Sequence, residues 1–196
     1  MPEPRATNVV KERDKMSEQT NITTHTQNWV SRVIVKYNIC PFARREVELG
    51  SIRYVEINAS KKKQILEKLI EECEFLDANS TVETTLFIIP EGLLLFYDFL
   101  DLLDLANDLL FEQGYEGVYQ LASFHPDYCF DGIDADDASN YTNRSPYPTL
   151  HIIRESSMEI ALKNHADADA IPERNIEFTR KKGGAFFADL LSGCCK

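Results

Sequence analysis

Three short stretches of this 196-residue chain gather residue types that can move protons, attack electrophiles or hold anions. The first is Ser123-Phe124-His125-Pro126. A histidine at the end of a strand, fixed by the proline that follows, projects where proteins with parallel strands commonly hold ligands. Its imidazole works as base, acid or metal ligand near neutral pH. The plainer alternative is a buried ring satisfied by backbone groups. The second stretch runs from Asn143 to Glu155 and contains Arg144, Ser145, Pro146, Tyr147, Pro148, His151 and Arg154. Two prolines in three residues reduce the freedom of the unfolded chain and hold Asn143, Arg144 and Ser145 in one presentation. Arg144 offers a planar fork suited to carboxylate or phosphate, and Arg154 a second one. If Thr149–Arg154 is a strand, His151 and Ile153 share one face and Arg154 takes the other; in a helix, His151 and Arg154 would share a face. The alternative is a rigid structural loop whose arginines pair with acids elsewhere. The third stretch is Cys40-Pro41-Phe42. A thiol held there becomes a nucleophile or soft ligand if a neighbouring His or Arg lowers its pKa, although most lone cysteines are inert small hydrophobes.

Other features carry less. Asp131, Asp134, Asp136 and Asp137, and Tyr97-Asp98, lack the glycine and the terminal glutamate of an EF-hand loop, so they read as a solvated surface. Cys194-Cys195 near the end of the chain is assigned no role. There is no Walker loop, G-x-G-x-x-G, H-E-x-x-H or G-x-S-x-G, which removes the support for cofactor and hydrolase readings built on those motifs. Neither a metal nor a cofactor is specified.

The elements that must position these residues follow from periodicity. Residues 22–37 read as a helix with Trp29, Val33 and Ile34 at helical spacing, ended by Pro41, which biases Cys40 away from the helical region. Ser51–Asn58 alternates like a half-buried strand. Ser60 is expected to cap a helix over Lys61–Leu76, whose Ile65, Leu69 and Cys73 form one stripe. Thr84–Ile89, stopped by Pro90, reads as a buried strand, and Leu93–Gln113 as a long helix with Gly114 at its C′ position. Val118–Phe124 is a strand running into His125. Residues 127–148 form a long loop, and loops beyond about 12–15 residues in compact domains are usually functional or disordered. Thr149–Arg154 reads as a strand, and 156–164 and 172–191 as closing helices, the second weakened at Gly183-Gly184. This order predicts a single α/β or α+β domain over residues 22–192, a mixed four-stranded sheet covered by helices. Residues 1–21 are expected to be a disordered extension, with Met16 opening an alternative start, and residues 193–196 a short tail.

Composition agrees with a soluble globular chain: 43% hydrophobic and 27% charged residues. No apolar run reaches the ~18 residues of a membrane span, and residues 1–20 lack the apolar core of a secretory signal, so the expected location is the cytoplasm. Five scattered cysteines without C-x-x-C spacing argue against a disulfide framework or zinc knuckle. The net charge of −11 is concentrated: residues 64–139 carry 18 acids and one base. Such a surface repels phosphate backbones, so nucleic acid is not an expected partner.

Taken together, the segments Asn38–Ala43, Ala122–Pro126, Asn143–Pro148 and His151–Glu155 resemble the marker motifs of DUF1415, a mainly bacterial family of unknown function. The likeness spans Trp29 to Leu191 in order; Ile152-Ile153 stands where the usual form has two leucines. It implies a shared fold and shared motif positions, and no reaction. Two functional classes follow from the residues themselves. One is an enzyme or small-anion site, with or without a metal, in which Arg144, Asn143, Ser145 and Arg154 bind, His125 and His151 transfer protons and Cys40 supplies a thiolate. The other is a non-catalytic docking or assembly module, a homo-oligomer in one version, that uses the proline-braced loop. The first requires an imidazole and a guanidinium to meet around one hollow.

Overall fold

The computed structural model describes residues 21–196, so the expected extension over residues 1–21 lies, but for Asn21, outside the described residues. Four strands form one sheet: β1 (Ile52–Glu56), β2 (Thr84–Ile88), β3 (Tyr119–Phe124) and β4 (Thr149–Arg154), in the order β1-β2-β4-β3. β1 pairs parallel with β2, and β4 pairs antiparallel with both β2 and β3. β1, β2 and β3 therefore point the same way, and β4 is inserted against them. The mixed sheet expected from the sequence is the one observed.

Seven helices surround it among the described residues. Helical residues 21–29 continue as a π-helix over Val30–Val35 (together α1). Then come α2 (Ala43–Leu49), α3 (Lys62–Ala78), α4 (Phe96–Glu112), α5 (Glu155–Lys163), α6 (Ile171–Lys182) and α7 (Gly184–Cys194). α3 and α4 are the crossovers between the parallel strands, and both bury their stripes on one face of the sheet. There Ile65, Leu69 and Leu76 of α3 and Phe99, Leu102 and Ala106 of α4 meet Phe87, Leu150 and Ile152, all fully buried. Each such side chain stabilises the fold by about 1.5–3 kcal/mol. Arg53, on the same face of edge strand β1, closes this layer with a two-bond fork onto Glu72 at 2.9 and 3.1 Å while stacking on Phe75.

The opposite face carries Ile52, Tyr54, Leu86 and Phe124, covered by Trp29, Val30, Val33 and Ile34 of α1 and Phe187 of α7. Val30, Val33 and Ile34, at i, i+3 and i+4, are the buried residues of this π segment. Such segments recur at functional sites.

Four points of the sequence reading are corrected. The closing helix over 172–191 is two helices, because Gly183 adopts φ 86° and ψ 153°, which breaks the hydrogen-bond ladder and turns α7 back onto α1. Ser60 does not cap α3; Lys61 occupies that position without a side-chain bond. Ser60 instead lies against Gly92, where an added Cβ would stand 2.8 Å from the Ser60 Cα. The third is α2, which the sequence reading passed over because none of its residues is buried and it has no apolar stripe. Gly193 and Cys194, taken as tail, are part of α7, with Cys194 buried.

Candidate functional site

The carboxyl ends of β1, β2 and β3 lie together at one end of the sheet, where Glu56, Ile88 and Phe124 stand beside Thr149, the first residue of β4. Both motif stretches begin or end here, as in other folds with parallel strands.

His125 follows β3 directly and is fully buried. Its Nε2–H donates to the Leu93 carbonyl at 3.1 Å, and its Nδ1 accepts from the Asp127 N–H at 3.0 Å. Both nitrogens are thus engaged, and the ring is packed between Phe96 and Phe99. Burial lowers its pKa, outweighing the Leu93 hydrogen bond and the Asp127 charge. The imidazole is held neutral and ties the loop after β3 to the segment entering α4.

The loop from Pro126 to Pro148 is held in the same manner. Asn143 donates from Nδ2 to the Ser123 carbonyl at 3.1 Å, and its own carbonyl accepts from the His125 N–H. Ser145, fully buried, donates to the Tyr147 carbonyl at 2.6 Å. Arg144 donates to the carbonyls of Tyr128 and Ala135 and lies over the Tyr141 ring. At the end of β4, Arg154 donates to the carbonyls of Leu76, Asn79 and Val82 and to the Tyr119 hydroxyl. The partners of Arg144 and Arg154 are backbone carbonyls, where the sequence alternative had placed acids. Asn140, also fully buried, accepts from the Phe130 N–H and donates to the Asp134 carbonyl. A 22-residue loop that looked suited to ligand capture is ordered largely by its own side chains.

His151 lies on the α1 face of the sheet, on the strand next to the one that leads into His125. Thr84 Oγ1 donates to the Ile152 carbonyl at 2.6 Å, so it accepts from His151 Nε2, also 2.6 Å away. That bond fixes the Nε2–H tautomer and leaves Nδ1 as an acceptor. Burial pushes the ring pKa down to about 4. Beside it, Phe124 stands between His151 and Trp29. The indole N–H of Trp29 has no partner although the residue is 1% exposed. Cys40 sits elsewhere, under the α6 side of the second core. Burial raises its thiol pKa, opposed by the Phe42 and Ala43 backbone and by Arg174. Its turn is pinned by Arg174 donating to the Asn38 carbonyl and Asn175 Nδ2 to that of Ile39. His125, His151, Arg144 and Cys40 are therefore held by four separate sets of partners.

What converges at the sheet end is a different set. Tyr147, within the proline-braced loop, directs its hydroxyl at His25 Nδ1 of α1, 2.8 Å away, with the rings stacked at an interplanar angle of 7°. Burial raises the Tyr147 pKa, and the nearby Cys195 and Glu56 add to it. Glu56, the last residue of β1, accepts from the Thr23 N–H and Thr23 Oγ1 through one carboxylate oxygen. Its other oxygen is buried and has no hydrogen-bond partner. An open cleft of about 560 Å³ runs along this corner, lined by Thr23, Thr24 and Gln27 from α1 and by Tyr54 and Glu56 from β1. Glu56 joins the two flanks, since it lines the cleft and its charge reaches the Tyr147 hydroxyl.

Sequence reasoning missed His25 and Glu56. Glu56 had a readable signal: in the alternation Ile52, Tyr54, Glu56 it places a carboxylate on the face that must be covered. His25 had none, because its partner lies 122 residues away. Among the described residues no three His, Cys, Asp or Glu side chains cluster as a metal site requires, and no helix is long and apolar enough to cross a membrane.

A family model described as "Protein of unknown function (DUF1415)" matches residues 21–189. No curated protein and no solved structure matches the chain.

Proposed function

The chain belongs to the DUF1415 family, and on that premise we propose that it takes a small polar molecule at the corner of α1 and β1 and performs acid–base chemistry on it. The observation that carries this reading is the Tyr147–His25 pair, 2.8 Å apart, beside a Glu56 oxygen that is buried and unpartnered. A phenol hydrogen-bonded to an imidazole is a ready relay: with Tyr147 as the donor, His25 takes its proton as the phenol acquires one from the bound molecule, and the reverse holds in the other tautomer. Glu56 supplies a fixed acceptor for an N–H, O–H or cationic group. An unmade bond on a buried carboxylate is costly, so a ligand that supplies the donor gains affinity. His125, Asn143 and Ser145 are positioning residues here, because they hold the loop that presents Tyr147, while Arg154 ties β4 to the end of α3. His151 is a neutral ring that donates to Thr84, and Cys40 a thiol whose pKa burial raises.

A second reading keeps the anionic ligand expected at Arg144. It is favoured by one observation: the Arg144 guanidinium forms no ion pair with any described carboxylate and uses only two of its nitrogens. Opposing it are Asp131, Asp134 and Asp136 in the same loop.

A fragment screen by protein-observed NMR tests both. Cationic, neutral and anionic small molecules are titrated into wild type, Glu56→Gln, Tyr147→Phe and Arg144→Gln. Cationic or neutral binders that shift Thr23, Thr24, His25 and Gln27, and that weaken in Glu56→Gln, are expected. Anionic binders lost only in Arg144→Gln would establish the second reading and sink the first.

A further inference from the structure

The solvent side of α4 carries a pattern that the small-molecule reading does not use. Its inward stripe is Phe99, Leu102, Ala106 and Leu110, all buried. Opposite it, at alternating steps of four and three residues, stand Tyr97, Asp101, Asp104, Asp108 and Phe111. That spacing keeps one seam along a helix, the spacing by which helices pair. Tyr97 is 82% exposed and Phe111 63%; Leu94 and Leu95, just before the helix, are each 69%, and Leu105 at the seam's edge is 45%. Among the described residues, five of the nine exposed large hydrophobics therefore fall within residues 94–111. Scattered apolar side chains need no explanation, but their concentration in one segment and beside an apolar groove points to an interface. Beside the seam, a shallow groove between α3 and α4 is floored by Leu66, Ile70, Leu105 and Leu109; Lys62 and Lys63 at its rim are paired with Asp101 and Glu67.

Charge decides what fits. Asp101 is paired with Lys62 Nζ at 3.2 Å, while Asp98, Asp104, Asp108 and Glu112 form no ion pair. A second copy docked through the same seam would set aspartates against aspartates, which costs several kcal/mol on desolvation. Anionic lipid and phosphate backbones are repelled by the same carboxylates. The remaining complement is a helix with an apolar side and a flank of Lys or Arg.

We propose that the outer face of α4 docks a cationic amphipathic helix from another protein. Its apolar side seats on Tyr97, Phe111 and the groove leucines, and its basic flank meets Asp104 and Asp108. This face lies across the sheet from α1, so the inference stands apart from the Tyr147–His25 site.

The test uses the full chain, isotope-labelled, titrated with a synthetic Leu/Lys amphipathic helix of about five turns. A scrambled peptide of equal composition and a Leu/Glu counterpart are run beside it. The expected result is saturable binding by the first peptide alone, with shifts confined to residues 94–113 and the facing residues 62–70 of α3. Asp104→Lys with Asp108→Lys weakens it roughly tenfold or more, Asp131→Lys with Asp136→Lys changes it less than about twofold, and salt weakens it. Tyr97→Ser, which alters no charge, weakens it as well. Equal binding of the scrambled peptide, equal loss in the two charge-reversed pairs, or no binding by the first peptide overturns the proposal. So does a concentration-dependent dimer that Tyr97→Ser dissolves, which would make a second copy the occupant.

Discussion

The motif stretch 123–155 and the corner where α1 crosses β1 treat their polar side chains in opposite ways. In the first, His125, Asn143, Ser145, Arg144 and Arg154 all bond to backbone groups of their own loop or of the neighbouring helices. In the second, Glu56 retains an unpartnered oxygen and lines an open cleft, and its charge reaches the Tyr147 hydroxyl that meets His25. Residue types with catalytic capacity mark a site only when their hydrogen-bonding capacity is left over after folding. A long, polar, proline-braced loop uses that capacity to order itself, because its backbone groups have no ladder to satisfy them.

The sharpest way to break this contrast is His125→Ala. It empties space between Phe96 and Phe99 and strands the Leu93 carbonyl and Asp127 N–H. A loss of about 4 kcal/mol in urea unfolding is expected, and a variant as stable as wild type would leave the loop without its principal tie. Arg154→Ala comes next, since four acceptors lose their donor; about 3 kcal/mol is expected in the same measurement.

Titration sharpens the contrast without a mutation. His151 has its folded pKa pushed down to about 4 against an unfolded value near 6.5. The unfolded chain therefore takes up the proton first as pH falls. The stability tied to neutral His151 is fully present above pH 6.5 and is lost progressively as the pH drops to 4. This amounts to about 2–3 kcal/mol. His125 adds to the trend in the same direction, so the relevant quantity is wild type minus His151→Gln across that window. A difference independent of pH would mean that the ring titrates normally.

Smaller effects follow. Ser145→Ala removes a 2.6 Å bond to the Tyr147 carbonyl and should lower stability by about 1 kcal/mol. Tyr147→Phe and His25→Ala, on the open side of the contrast, should each alter stability by less than about 1 kcal/mol while weakening any ligand found at the corner. If they destabilise as His125→Ala does, the corner is architecture too.

Much of the fold was legible because local periodicity and tertiary burial agree. Thr84–Ile88 is continuously buried because β2 is covered on both sides, and Leu93–Gln113 carries the inward stripe Phe99, Leu102, Ala106 and Leu110. The antiparallel β4 followed from a strand preceded by a loop instead of a helix. α2 escaped because it is seven residues long and only Ala43 and Val47, both half-buried, pack inward, and the break at Gly183 was seen as a weakness but not as a boundary. The motif positions were legible, and their bonding was not. Whether an imidazole is free depends on partners such as Leu93 and Thr84, 32 and 67 residues away, and no local pattern encodes those pairings.

The placement of β4 also governs how the chain comes off the ribosome. The inner edge of β2 and its counterpart on β3 have no neighbour until residues 149–154 emerge, so the nascent chain holds a two-stranded fragment and a lone strand side by side. Both edges then expose ladder groups and apolar side chains, the condition under which growing chains stick to one another. Synthesis interrupted before Thr149 would yield a product with no sheet to close, whereas six further residues join the two halves in a single step.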